Sequence, residues 1–107
     1  MARAYKNAKV DLTTDTVTTL YTCPTAAAAI VTSILVSEDS GNADTITVTL
    51  INSAAAIFSL FKVKAVGTNT TVELLTRPLV VEESEVLKVK AATANRLHVV
   101  ASLLELS

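Results

Sequence analysis

Few residues in this sequence could carry chemistry, and their spacing limits what that chemistry could be. The single histidine, His98, stands in an apolar run just after Asn95 and Arg96. A Ser/His/acid hydrolase would also need a serine on a sharp, strained turn, commonly within G-x-S-x-G. No such string occurs, so His98 reads as a structural residue. The single cysteine, Cys23, has no internal disulfide partner. It reads as a small buried hydrophobe near a strand end, with an intermolecular bridge or a reactive thiol as the alternative. Metal binding needs several clustered ligands. Two acidic groups could attract calcium: Glu38 and Asp39 with Asp44, and Glu82, Glu83 and Glu85. Neither resembles an EF-hand loop, and both read as solvated strand ends. With two glycines in the whole chain, a phosphate-cradling loop is not available. A sugar platform would have to use Tyr5, Tyr21, Phe58 or Phe61, and Phe61 reads as core. The expectation is therefore a non-enzyme with no catalytic, cofactor or metal residues.

The elements that would position any site follow from composition and pattern. The chain has 107 residues, the size of one domain. Half of it is hydrophobic, but aromatics are scarce, and Val, Ile and Thr suit a pleated strand surface. A net charge of −1 argues against nucleic acid as a partner, because such partners select a basic face. Mean hydropathy is high at +0.49, yet no apolar run approaches the roughly 18 residues of a membrane span. The start, Met1 to Lys6, has no apolar leader core. High hydropathy without a membrane span predicts apolar surface covered by other subunits.

Strict alternation marks the strands. Ile46, Val48 and Leu50 share one face of Asp44 to Leu50, with threonines on the other. Leu87 and Val89 repeat the pattern against Lys88 and Lys90, and Thr71 to Leu74 is a shorter copy. These residues, with Phe61 and Leu74, are expected to share one core. Three runs look apolar on both faces: Ala29 to Val36, Ile57 to Val66 and Leu97 to Leu104. Such strands are covered twice, and here the second cover would come from a neighbouring subunit. Turns are expected at Asp39 to Asn42, Val66 to Asn69, Glu82 to Glu85 and Thr93 to Asn95. The pattern predicts an all-β chain, an antiparallel, jelly-roll-like β-sandwich of about eight short strands spanning residues 10–107. Residues 1–9 carry Arg3, Lys6 and Lys9 and no acid, and are expected to form an arm. That arm would either clasp a neighbouring chain, with Tyr5 as its anchor, or fold back on its own domain.

The run Thr18 to Thr25, followed by Ala29 to Ser37, resembles the opening of small virion proteins of tailed bacteriophages. Asp44 to Leu50, Thr71 to Leu75, Leu79 to Val89 and the close from Leu97 to Leu106 continue the likeness over most of the chain after residue 12. Thr25 to Ala28 departs from it, since the family often has Gly after the proline. The resemblance implies a virion location and a repeated subunit that decorates or cements a capsid. The alternatives are a tail, neck or baseplate component, or a glycan- or receptor-binding module. Implied partners are its own copies, as a trimer, and major capsid or tail proteins. No cofactor is implied. The residues expected at interfaces are Arg3, Tyr5, Lys6, Phe58, Leu60, Val100 and Leu104.

Overall fold

The structure, a computed structural model, describes residues 2–107. It is all-β among those residues, with nine strands. They are β1 (Arg3–Asp11), β2 (Thr18–Thr22), β3 (Ala28–Glu38), β4 (Asp44–Ile51), β5 (Ile57–Val66), β6 (Thr71–Glu73), β7 (Leu79–Val81), β8 (Val86–Ala91) and β9 (Leu97–Leu106). One sheet runs β1-β9-β3-β6, with β7 also paired to β3, and the other runs β2-β8-β4-β5. All pairings are antiparallel. The chain changes sheet at every connection but β4–β5 and β6–β7, and among the described residues only β4 and β5 form a hairpin. Asn52 closes that hairpin by accepting from the amides of Ala54 and Ala56, while Ala55 takes a left-handed φ of 66°.

The core lies between the sheets. Ile46, Val48, Leu74, Leu87 and Val89 are all buried there, with Ile34, Val36, Leu97, Val99 and Leu12. Two expected members stand differently. Leu50 and Phe61 are only half-buried and pack at the margin of the cluster. Phe61 lies on β5, an edge strand whose register against β4 shifts twice, and that irregularity turns its ring toward the rim.

The double-apolar look of β3 has a local cause. A bulge between Val31 and Ser33 resets the alternation, so Ala29 and Val31 point inward before it and Ile34 and Val36 after it. No such shift occurs in β9. Leu97, Val99, Ala101 and Leu103 are buried, and Val100, Leu104 and Leu106 face away from the core.

Of the two readings of the N-terminal segment, the structure shows the one in which it folds back on its own domain, and the sandwich begins at Arg3 rather than at residue 10. Residues from Arg3 to Asp11 form β1, paired in unbroken register with β9 from Arg3 opposite Leu106 to Asp11 opposite His98. Ala8 and Val10 pack against the core. The segment therefore belongs to the sandwich, because β9 offers a full row of backbone partners that a free arm would leave unpaired. Met1 lies outside the described residues.

Candidate functional site

The two sheets present different outer faces. On the β2-β8-β4-β5 sheet, Thr45, Thr47, Thr49, Lys88 and Lys90 alternate with the core residues. That face is polar over β8 and β4, and apolar exposure gathers toward β5, where Ile51 opposes Ile57 and Val86 and where Phe58 and Val63 are exposed as well. On the other sheet the pairings align apolar side chains across four strands. Tyr5 of β1 lies opposite Leu104 of β9, which lies opposite Ile30 of β3, which lies opposite Val80 of β7. Tyr5 is 85% exposed and Val80 57%. A second row sets Lys9, Val100 and Leu35 side by side. Between the rows, Asn7, Thr32 and Ser102 line a shallow depression with Tyr5 and Leu104.

This face gathers four of the residues expected at interfaces: Arg3, Tyr5, Val100 and Leu104. Lys6 points inward from the same edge and bonds Glu105 at 2.9 Å. Phe58 and Leu60 lie elsewhere, on β5 of the opposite sheet, with Phe58 half-exposed and Leu60 against the core margin. Sequence reasoning missed Ile30 and Val80, whose outward direction depends on the β3 bulge and the long-range β3–β7 pairing.

The acidic groups act as backbone acceptors that shape loops. Glu38 is buried, and its carboxylate accepts from the hydroxyl and amide of Ser40 and from the amide of Asn69. Those bonds, led by the Ser40 hydroxyl, outweigh desolvation and hold its pKa down at about 2. Asp44 accepts from the amide of Thr93, Glu83 from that of Ala26, and Glu85 from that of Glu82. Burial of Glu73 would raise its pKa, yet bonds from Ser33, Ile34 and Leu75 keep it below the ordinary value. Among the described residues, no group of three potential metal ligands comes together.

A further polar link ties the sheets. Tyr21 of β2 donates its hydroxyl to Glu105 of β9 at 2.6 Å, and Lys6 bonds the second oxygen. The Tyr21 bond, then Lys6, holds Glu105 below its usual range, while burial and Glu105 push the Tyr21 phenol up. His98 faces two carboxylates, Asp11 at 3.2 Å and Asp39 at 3.6 Å. Among the described residues no serine hydroxyl bonds it, so this geometry assembles no triad. Cys23 is buried and free, and burial pushes its thiol pKa up.

These observations define the class as an all-β protein, a sandwich of two antiparallel sheets. No family model matches the chain, and no curated protein matches it. Among solved structures, it is similar to a chain from Bacillus endospore appendages, described as a family of disulfide-linked pili. The TM-score is 0.58 at 10% identity, covering 98% of this chain and 88% of that one. A chain of infectious bursal disease virus, Gt strain, superposes with a TM-score of 0.46 at 10% identity, over 98% of this chain and 30% of that one. The first likeness is one of fold. Unlike a chain joined to its neighbours by disulfides, this one has a single cysteine, and it is buried.

Proposed function

We propose that this chain is a structural subunit repeated many times in an assembled particle. Within that class, we read it as a bacteriophage virion protein that decorates or cements a capsid. The observation that carries the proposal is the set of apolar side chains aligned across the outer face of one sheet, the row Tyr5, Leu104, Ile30 and Val80 with Val100 and Leu35 in a second row. Exposed apolar side chains gathered on one face of a small domain mark an interaction surface. Its occupants are other copies of the chain and the shell protein beneath them. The interleaved strand order supports the jelly-roll reading, and the resemblance of Thr18 to Ser37 to small phage virion proteins supports the virion location. The fold-level likeness to a pilus-forming chain is consistent with a subunit that works by assembly. A trimer is the arrangement that the phage resemblance implies. The reading assigns the chain no catalytic step. Its mechanism is burial of surface, and about 1,200 Å² or more would give a stable contact.

The test is quantitative mass spectrometry of particles purified from the lysate in which the chain is made. Tens to hundreds of copies per particle are expected, with Leu104→Asp lowering that number while leaving the chain folded. Absence from particles, or full incorporation of Leu104→Asp, would overturn the reading. A tail, neck or baseplate role would give the same chemistry at a lower copy number.

A further inference from the structure

The sandwich has four sheet edges, and they are not alike. β2 is five residues long and carries a register shift, and β6 and β7 have three residues each. β5 is longer, but its register against β4 shifts twice, and Val63 within it takes a left-handed φ of 54°. Short length and bulges are two of the devices by which proteins stop an edge from recruiting another strand, alongside charged side chains. β1 has neither: it runs nine residues without a register shift.

The backbone shows which groups that edge offers. Ala2 and Ser107 exchange both amide–carbonyl bonds, and the amide of Leu12 donates to Leu97. With the register unbroken between them, the even-numbered residues of β1 hold β9. The amides and carbonyls of Arg3, Tyr5, Asn7 and Lys9, and the amide of Asp11, therefore point outward from the edge, while the Asp11 carbonyl accepts from the amide of Thr13.

We propose that β1 is a docking edge for a second copy of this chain, paired antiparallel about a two-fold axis through Asn7. The proposal deepens the assembly reading and rests on it for its purpose, although the contact differs from the outer face. Only odd residues can pair with odd across this edge, which leaves few registers. Centring on Asn7 sets Arg3 opposite the partner's Asp11, and Tyr5 opposite the partner's Lys9. All nine residues then lie opposite a residue of the partner strand. Opposite charges meet twice by symmetry, and each Tyr5 ring meets an ammonium stem, a cation–π contact. Centring on Lys6 instead sets Arg3 against the partner's Lys9 and leaves Asp11 outside the pairing. Centring on Ala8 leaves Arg3 outside. The charges of the strand thus select one register. Lys6 does not oppose it as a stray inward charge, because Glu105 neutralises it at 2.9 Å. In the paired form both copies present their apolar rows on the same side of one continuous sheet. Such a strand pair buries less than the roughly 1,200 Å² of a stable independent interface, so in solution it is a weak, transient pairing of the kind that disulfide capture reads.

The two-fold places Asn7 opposite itself in a hydrogen-bonded pair, where Cα atoms lie about 5.5 Å apart, within disulfide range. Asn7→Cys should therefore couple under oxidised glutathione. One introduced thiolate attacks the glutathione disulfide and releases one glutathione. The partner's introduced thiolate displaces the second, so the protein disulfide forms as the oxidant is reduced. At micromolar protein, coupling should be at least tenfold faster than for Ser53→Cys in the exposed β4–β5 turn. Adding Arg3→Asp or Asp11→Arg should slow it to the control rate, and adding both together should restore it, with circular dichroism unchanged throughout. Coupling no faster than the control, indifference to either charge reversal, or failure of the double reversal to restore it would overturn the proposal. If Leu104→Asp enters particles normally while the introduced thiols still couple, the face reading fails and the edge stands. If the thiols do not couple while Leu104→Asp is excluded from particles, the edge fails and the face reading stands.

Discussion

Glu38 stays charged while buried because loop backbone surrounds its carboxylate with donors, from Ser40 on one side and Asn69 on the other. Its pKa is about 2 in the fold against an ordinary 4.5. Above pH ~4.5 the carboxylate is ionised in both folded and unfolded chains, and its stabilisation is complete. As the pH falls from there toward 2, the unfolded chain takes up the proton first, and stability drops. The lowered pKa values of Glu73 and Glu105 act in the same direction. Melting temperature should therefore decline from pH 5 to pH 2, and Glu38→Gln should flatten the decline; an equal slope in the variant would remove Glu38 as its cause. The Tyr21 hydroxyl is a second residue-scale test. Tyr21→Phe should cost about 1–2 kcal/mol in urea unfolding, the usual range for a hydrogen bond to a charged group at a partly exposed position. By sequence alone the acids stand at strand ends and read as solvated. Which acid turns inward depends on amides thirty or more residues away, as Asn69 is from Glu38 and Thr93 from Asp44, and local spacing carries no record of them.

At the scale of elements, alternation located the strands well where it was strict, in β4 and β8, because each has one face on the core and one toward water. It misled where a bulge intervenes. β3 looked apolar on both faces because one extra residue near Thr32 moves the core face from odd to even positions. Phe61 looked central by type, yet it sits at the rim on an irregular edge. These placements set different costs. Leu87→Ala, fully buried between β2 and β4, should destabilise by about 2–5 kcal/mol. Phe61→Ala should cost only about 1–3 kcal/mol, since much of the ring's margin is already wet. Chemical denaturation of the two variants ranks them directly, and a larger loss for Phe61 would put the ring back in the core. Val63 tests the bend of β5 itself. A β-branched residue at φ 54° is strained, whereas Asn tolerates that region. Val63→Asn should leave the fold intact and raise stability by roughly 1 kcal/mol. A loss of stability would show that the exposed valine side chain contributes more than its backbone strain costs.

For the whole molecule, the decisive pairing joins the two ends of the chain, β1 against β9. The sequence hid this for two physical reasons. The inward positions of β1 are Ala4, Lys6, Ala8 and Val10, whose small or charged side chains give little apolar contrast to alternate with. Its partner lies at the far end of the sequence, where no local turn announces the pairing. The consequence is that residues 2–11 are part of the folded unit. Removing them would strip β9 of one complete row of hydrogen bonds, uncover the side of the core closed by Ala8 and Val10, and take Lys6 from the Tyr21–Glu105 link between the sheets. The strand left at the edge would be β9, ten residues long, with Val100, Leu104 and Leu106 on its outer face. A long apolar edge of that kind recruits other chains. Deleting residues 2–11 should therefore lower the melting temperature by about 10 °C or more, since each kcal/mol shifts a domain of this size by roughly 4–8 °C. The truncated chain should also aggregate on warming, which light scattering would follow during the melt. An unchanged melting temperature and a clear solution would mean that β1 adds nothing to the sandwich and serves only contacts with other chains.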